Sequence, residues 1–121
     1  MKICMIGTGY VGLVSGTCFS ELGNNVICAD IDKNKINKLN KGIVPIYEPG
    51  LEELIKRNFN QRRLKFSSDI ITSIKKSDII FICVGTPTKK NGKNADLSQI
   101  FNVTKEIRNS ISKFKIIITK S

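Results

Sequence analysis

The sequence has no histidine, only three prolines and no long hydrophobic run among its 121 residues. Its longest apolar stretches, such as residues 79–84, are far shorter than the roughly 20 residues that cross a bilayer. The first residues enter a strand pattern directly, without the charged and apolar regions of a signal peptide. We therefore expect a soluble, cytoplasmic protein, and the length suits one globular domain.

The cysteines lack the spacing of a metal site. No two of them form a closely spaced pair, and histidine, the usual companion ligand, is absent. Three of the four lie in apolar, strand-like runs; the set is Cys4, Cys18, Cys28 and Cys83. We expect small buried hydrophobic side chains in a reducing compartment, with neither a disulfide nor a metal.

Acidic residues are half as frequent as basic ones, 10 against 20, which gives a formal net charge of +10. Such an excess raises nucleic acid, an acidic surface or a nucleotide as possible partners. The lysines are scattered among asparagines and isoleucines, with no basic stripe interleaved with aromatic residues. We interpret the charge as a solvated surface and expect no nucleic-acid and no membrane partner.

Apolar segments of strand length alternate with segments of helical periodicity. Strands are expected at residues 2–6, 25–29, 64–66, 79–84 and 115–119, and helices at 10–22, 32–40, 51–58, 70–76 and 97–111. The first helix has its apolar positions at Val11, Val14, Cys18 and Leu22, and the last at Leu97, Ile100, Val103, Ile107 and Ile111. Pro49 is expected in the first turn of the third helix, and residues 88–94 form a surface loop.

This alternation predicts a doubly wound α/β domain of the Rossmann type, with a parallel sheet covered on both faces. A ligand of such a domain lies at the carboxyl ends of the strands. The sequence stops at Ser121, directly after the last expected strand and without a helix to cover it. We therefore expect an incomplete domain.

A glycine-rich motif follows the first strand and opens the first helix. Gly7, Gly9 and Gly12 fit the pattern G-x-G-x-x-G, which is weak alone but specific within a β-α-β unit. Gly7 permits a tight turn, Gly9 lets a pyrophosphate approach the backbone, and Gly12 permits close helix packing. The helix amino terminus then offers free N–H groups to the phosphates. A purely structural glycine turn is the weaker alternative.

Asp30 ends the second strand, about 20 residues after the glycine motif, where an acidic side chain binds both hydroxyls of the adenosine ribose. Its carboxylate would repel a 2′-phosphate, so NAD is favoured over NADP despite the nearby cations Lys33 and Lys35. The alternative is a helix cap, a role that Asp32 can fill equally well. We expect Asp32 to be the cap and Asp30 the ribose ligand.

A second turn, Gly85-Thr86-Pro87, follows another expected parallel strand and so reaches the same edge of the sheet. Such a turn needs no ligand to explain it. From the residues alone, a cofactor contact and a structural turn are equally supported.

Several motifs in order resemble the UDP-glucose/GDP-mannose dehydrogenase family along essentially the whole chain. They are IGTGYVGL at residues 6–13, DID at 30–32 with Lys35, PIYEPGL at 45–51, VGTP at 84–87, ADL at 95–97 and KS at 120–121. The segment 45–51 does most to separate this family from other dinucleotide-binding proteins. We have no physical ground for calling Tyr47 or Glu48 catalytic, and packing against another domain is at least as well supported.

The resemblance implies that residues 1–121 are an amino-terminal NAD-binding domain, and that the central and UDP-sugar-binding domains lie elsewhere in the family's chain. Positions that contact NAD in the family match Val11, Asp30, Lys35, Thr86 and Ser121. The full candidate site adds their neighbours Gly7, Gly9, Tyr10, Gly12, Val84, Gly85 and Pro87.

The family oxidises the C6 hydroxyl of a nucleotide sugar to a carboxylate with two NAD⁺, through a thiohemiacetal on a cysteine. That cysteine and its assisting lysine, asparagine and glutamate lie further along the family's chain, and none of the four cysteines here matches it. The resemblance thus implies that this segment alone is inactive, and that the UDP-sugar and homo-oligomer contacts lie in the other domains.

Three possibilities stay open at this point. The sugar nucleotide is UDP-glucose, or it is the GDP-mannose or UDP-N-acetylhexosamine of a sister enzyme, since the missing domains select it. A third possibility, of a different class, is a stand-alone NAD-binding or sensing module without catalysis.

Overall fold

The computed structural model describes residues 1–120. They contain five strands and five helices, which alternate except that two helices lie between β2 and β3: β1 Lys2–Ile6, α1 Tyr10–Glu21, β2 Asn25–Ala29, α2 Lys33–Asn40, α3 Leu51–Asn60, β3 Leu64–Ser67, α4 Ile70–Lys75, β4 Ile79–Ile82, α5 Ser98–Ser110 and β5 Ile116–Thr119. Each expected element is present, with ends shifted by at most two residues. No helix in this part of the chain is long and apolar enough to cross a membrane.

The strands form one sheet in the order β3-β2-β1-β4-β5, and every neighbouring pair is parallel. The chain leaves β1 towards β2 on one side and returns to β4 on the other, so the strand order reverses beside β1. This confirms the doubly wound, Rossmann-type fold. A crevice opens at such a reversal, outside the carboxyl ends of the strands.

Side chains of β1 alternate between the two faces of the sheet. Ile3 and Met5 belong to one buried cluster, to which α1, α2, α3, β2, β3 and β4 also contribute. Cys4 and Ile6 belong to another, which also contains Ile74 of α4. Both faces of the sheet are therefore covered at β1, as the interior of a parallel sheet requires.

The face that α1 buries agrees with the expected one only in part. Val11 and Val14 are half-buried against the core, whereas Cys18 and Leu22 are exposed. The fully buried positions are Gly12, Leu13, Gly16, Thr17 and Ser20. A Cβ added to Gly16 would lie 2.8 Å from the Cys28 Sγ atom and 2.9 Å from the Met5 Cγ atom. Small residues thus let the helix backbone approach the sheet, which a search for large apolar side chains does not detect.

Two other expectations were wrong in detail. Of the apolar positions expected on the last helix, Ile107 is buried and Ile100 and Val103 are half-buried, whereas Leu97 and Ile111 are exposed. All side chains of β5 are exposed as well. Pro49 lies outside the first turn of α3, because Gly50 is the N-cap. Gly50 has φ 82°, a left-handed conformation that favours glycine over other residues.

Candidate functional site

A cleft of about 860 Å³ opens at the carboxyl edge of the sheet, beyond the ends of the neighbouring strands β1 and β4. The residues that follow β1, β2 and β4 line it, together with one side of α5. They are Ile6, Gly7, Thr8, Gly9, Tyr10, Val11, Asp30, Ile31, Asp32, Lys35, Ile70, Cys83, Val84, Gly85, Thr86, Gln99, Asn102, Val103 and Glu106.

The glycines of the first turn meet different surroundings. Gly7 has φ 106°, and a Cβ there would lie 2.8 Å from the Cys83 carbonyl oxygen. A Cβ on Gly12 would lie 1.9 Å from the Gly7 carbonyl oxygen. A Cβ on Gly9, by contrast, would have no atom within 4 Å apart from those of Gly9 and its immediate chain neighbours. Gly7 and Gly12 are thus required by packing, whereas the space above Gly9 is free for a ligand.

The amino terminus of α1 carries no side-chain cap. Gly9 is its N-cap, and no acidic residue stands in its first turn. In α2 and α4 the caps are aspartates: Asp32 accepts from the Lys35 N–H and Asp69 from the Thr72 N–H. The expected cap role of Asp32 is therefore confirmed. The first-turn N–H groups of α1 lack side-chain acceptors, and this positive end of the helix dipole suits a phosphate.

Asp30 is bound to the glycine turn. Its Oδ2 atom accepts hydrogen bonds from the Thr8 N–H at 2.9 Å and the Thr8 hydroxyl at 2.7 Å, and its Oδ1 atom accepts from the Asp32 N–H at 3.0 Å. Partial burial raises the pKa of the carboxyl, but these hydrogen bonds and Lys35 outweigh it, so the pKa is lowered overall. Asp30 is therefore a carboxylate at neutral pH. A carboxylate has about four acceptor positions, so room for a further donor remains.

Tyr10 connects the glycine turn to the segment 45–51. Its hydroxyl donates to the Glu48 Oε2 atom at 2.6 Å, a contact between exposed side chains. This hydrogen bond, with the charge of Glu48, raises the pKa of Tyr10. The segment 45–51 thus contacts the residue that opens α1.

Most of the candidate residues lie around one cleft. Gly7, Gly9, Tyr10, Val11, Asp30, Lys35, Val84, Gly85 and Thr86 line it. Gly12 packs beneath it, Pro87 is exposed beyond its lining, and Ser121 lies outside the described residues. Lys33 is not in the lining either, so Lys35 is the cation beside Asp30.

The contribution of α5 to the cleft was not predicted from the sequence. Gln99, Asn102 and Glu106 of this helix line the cleft. Their spacing of three and four residues is that of one helix face, so a polar periodicity was the available signal. Thr8, between two glycines of the motif, was also overlooked.

The thiols do not form a reactive centre. Cys4, Cys28 and Cys83 are buried, and Cys18 is exposed on α1; all four are free. Burial raises the pKa of Cys4 to about 12 and raises the pKa values of Cys28 and Cys83 as well. Cys83 lies beside the cleft. Because the thiolate is the nucleophilic form, these three buried thiols are unreactive at neutral pH.

A parallel sheet whose strand order reverses beside β1, a glycine turn with free space above Gly9 and an uncapped helix define a dinucleotide-binding domain of the Rossmann class. The model of the UDP-glucose/GDP-mannose dehydrogenase family, NAD binding domain, matches residues 1–121. The chain belongs to this family, and its cofactor is NAD.

Individual relatives agree with this assignment. The chain is 52% identical over 120 residues to UDP-glucose 6-dehydrogenase TuaD of Bacillus subtilis, covering 99% of this chain and 26% of the relative. It is 47% identical to UDP-glucose 6-dehydrogenase of Rhizobium meliloti, covering 100% and 28%. The structure of a GDP-mannose dehydrogenase from Pseudomonas aeruginosa matches with a TM-score of 0.95 at 41% identity, covering 100% and 28%. The chain thus spans little more than a quarter of the length of these relatives.

Proposed function

We propose that this chain is the NAD-binding part of a UDP-glucose 6-dehydrogenase, an enzyme that oxidises UDP-glucose to UDP-glucuronate with two NAD⁺. The observation that carries the proposal is the 52% identity to the Bacillus subtilis enzyme over nearly the whole chain. The segment PIYEPGL at 45–51, which contacts the cofactor-binding turn through Glu48 and Tyr10, supports it further.

In this proposal the uncapped end of α1 holds the pyrophosphate. The space above Gly9 admits the phosphate oxygens, and the N–H groups of the first turn of α1 donate to them. Tyr10 and Val11 stand at the mouth of the same cleft. The bound NAD supplies the hydride acceptor of the oxidation.

The adenosine side of the cofactor is assigned to Asp30 and Lys35. Asp30 keeps a negative charge at neutral pH, because its hydrogen bonds to Thr8 and Asp32 lower its pKa. A carboxylate accepts hydrogen bonds from ribose hydroxyls and repels a 2′-phosphate. The site therefore selects NAD over NADP, and Lys35 contributes positive charge beside the adenosine.

The opposite end of the cofactor is assigned to the residues that follow β4. Val84, Gly85 and Thr86 line the cleft on the other side of the strand-order reversal. Pro87 follows them in the turn, and Ser121 is assigned a contact at the carboxyl end of the adjacent strand. A dinucleotide that spans the reversal point has one half on each side of it.

The groups that react with the sugar are assigned to the remainder of the enzyme. The buried thiols of this segment are protonated and unsuited to forming a covalent intermediate. A cysteine further along the chain, with its assisting residues, is proposed to hold the aldehyde-level intermediate. Residues 1–121 alone would then bind NAD without oxidising the sugar. The four free thiols accord with a cytoplasmic enzyme.

A GDP-mannose dehydrogenase is the second candidate. The Pseudomonas aeruginosa enzyme of that name matches this domain with a TM-score of 0.95. The two candidate enzymes share this NAD-binding domain, so its structure alone favours neither sugar nucleotide. The identity to the Bacillus subtilis and Rhizobium meliloti UDP-glucose 6-dehydrogenases, 52% and 47% against 41% for the GDP-mannose enzyme, favours the first candidate.

The experiment is an oxidation assay of the full-length enzyme with NAD⁺ and, in separate reactions, UDP-glucose, GDP-mannose and a UDP-N-acetylhexosamine. We expect UDP-glucose to be the preferred substrate and two NADH to form for each UDP-glucose consumed. Preferred oxidation of either other sugar would assign the chain to a sister enzyme. A protein that binds NAD but oxidises none of the three would contradict the proposed activity.

A further inference from the structure

A second cleft, of about 680 Å³, lies at the opposite edge of the sheet, at the amino ends of the strands. Its charged lining is almost entirely positive. Seven of the lining residues are lysines or arginines: Lys2, Arg62, Arg63, Lys65, Lys75, Lys76 and Lys113. Asp78 is the one acid among them. A cleft lined by charge of one sign concentrates the electric field and attracts ions of the opposite sign.

The fold, not a run of basic sequence, brings these cations together. They come from β1, the turn between α3 and β3, β3 itself, the end of α4 and the connection between α5 and β5. These segments are far apart in the sequence, which is why the lysines look scattered along the chain. We call this group of seven residues with Asp78 the amino-edge cleft.

NAD binding does not account for this charge. The cofactor cleft is lined by Asp30, Asp32 and Glu106, with Lys35 as its cation. Its attraction for phosphate comes from backbone N–H groups and the helix dipole instead. The two edges of the sheet therefore carry charge of opposite sign, and the basic edge lies on the side away from the cofactor cleft.

Helix dipoles explain only part of the amino-edge cleft. Helices of a parallel α/β fold end at this edge, and cations stabilise such ends. Lys75 stands in the last turn of α4, but the Lys115 ammonium already donates to the Lys75 and Ser77 carbonyl oxygens. Lys2 and Lys65 lie on strands, where no helix end requires them.

Carboxylates balance only a small part of this charge: Asp78 lies in the lining, and Glu21 is close enough to Arg63 to interact with its charge. Within residues 1–120 one ion pair is formed, between Arg57 and Glu21, and neither residue lines the amino-edge cleft. Arg63 is instead held by hydrogen bonds to the Asn58 Oδ1 atom and the Ser20 carbonyl oxygen, which fix its guanidinium in place. One cation of the cleft, Arg63, is thus held in a fixed position by hydrogen bonds. The other six form no ion pair with an acidic side chain within residues 1–120.

We propose that the amino-edge cleft binds a compact polyphosphate anion. Several lysines and arginines around a concave surface match an anion that carries multiple phosphate groups close together. Its lining contains no aromatic residue, so a nucleobase would gain no stacking there. The recognised chemistry is the phosphate chain, whether it is free or part of a nucleoside triphosphate.

The test is calorimetric titration of the full-length protein with inorganic tripolyphosphate at physiological salt, and separately with ATP. The variant combines R62Q, K65Q and K76Q, and the matched control combines K41Q, K90Q and K105Q, which removes the same charge at residues outside both clefts. We expect the first variant to weaken tripolyphosphate binding about tenfold or more, as loss of three charge-assisted contacts implies, and the control to leave it unchanged.

NAD affinity, measured on the same samples, reports whether the variants fold and should be unchanged in both. Tripolyphosphate and ATP should bind with similar affinity, and NAD should displace neither. Absence of tripolyphosphate binding, equal weakening in both variants, or displacement by NAD would overturn the proposal. Binding of a single-stranded oligonucleotide without binding of tripolyphosphate would also overturn it, in favour of a nucleic-acid surface.

Discussion

Asp30 accepts hydrogen bonds from both the N–H and the hydroxyl of Thr8, so the carboxylate assigned to the ribose also holds the glycine turn in place. Thr8 is fully buried. Removing the carboxylate would leave a buried N–H and a buried hydroxyl without their acceptor, which costs about 1–3 kcal/mol. The cofactor preference and the shape of the phosphate-binding turn are therefore coupled through one side chain.

The first prediction separates these two roles. Asp30→Asn keeps an acceptor for Thr8 but loses the charge, so we expect NAD binding to weaken by about 1–3 kcal/mol with a smaller loss of stability. Asp30→Ala removes both the charge and the acceptor for Thr8, so it should weaken NAD binding and also lower the stability of the fold more than Asp30→Asn does. Affinity for NADP relative to NAD should rise in Asp30→Asn, because the repulsion of the 2′-phosphate is gone. Titration with both cofactors and urea unfolding provide the measurements; an unchanged NAD affinity would remove Asp30 from the ribose site.

The second prediction concerns the stability of the fold at acidic pH. The pKa of Asp30 is lowered in the folded chain from its ordinary value of 3.8, so its hydrogen bonds stabilise the fold above that value. This contribution is lost as the pH falls through the lower, folded value. Asp69 and Asp96, whose pKa values are lowered by hydrogen bonds to Thr72 and Ser98, act in the same window. Stability should fall below about pH 4, and less steeply in Asp30→Asn. The measurement is the free energy of unfolding in urea as a function of pH. If it fell equally steeply in the parent and in Asp30→Asn, this prediction would be contradicted.

The third prediction concerns two glycines of α1. An alanine Cβ at Gly12 would lie 1.9 Å from backbone oxygen, so Gly12→Ala should cost at least about 1–3 kcal/mol of stability. At Gly16 the nearest atoms belong to the side chains of Cys28 and Met5, which can shift, so Gly16→Ala should cost less. Gly85→Ala, with only ordinary contacts, is the control. Unfolding free energies in that order support the packing account, and a harmless Gly12→Ala refutes it.

The fourth prediction concerns the thiols of residues 1–121. Cys18 is exposed and the other three are buried, with raised pKa values. One of these four thiols should therefore react rapidly with a disulfide reagent in the native state, and Cys18→Ser should abolish that reaction. Mass spectrometry of the labelled peptides identifies the site. Rapid labelling of Cys4 or Cys28 would show that the sheet opens far more readily than its packing implies.

Much of the fold could be predicted because local signals agree with the tertiary structure. Gly23 ends α1 with φ 101°, and the short apolar runs of β1 and β2 pair residue for residue in the parallel register of a β-α-β unit. The glycine motif and Asp30 mark the edge where that unit meets a ligand. These features depend on neighbouring residues, which is the information that a single sequence contains.

The remainder depends on contacts between distant segments. The buried face of α1 includes small residues such as Gly16. A small residue is needed there because the Cys28 and Met5 side chains of other elements pack against it. The Thr8 to Asp30 hydrogen bonds and the convergence of cations at the amino edge likewise appear only once the sheet order is known. Periodicity in one helix cannot show which neighbour it will meet.

The most direct test of the central claim, that NAD phosphates bind above Gly9, is the variant Gly9→Asp. Gly9 is an uncapped N-cap with φ −74°, and the space above it is empty of chain atoms, so aspartate fits and caps α1. Its charge would then stand where the phosphates are proposed to bind. We predict equal or slightly greater stability in urea unfolding together with at least about tenfold weaker NAD binding, or about 1.4 kcal/mol. Gly9→Asp that binds NAD as tightly as the parent would contradict the account.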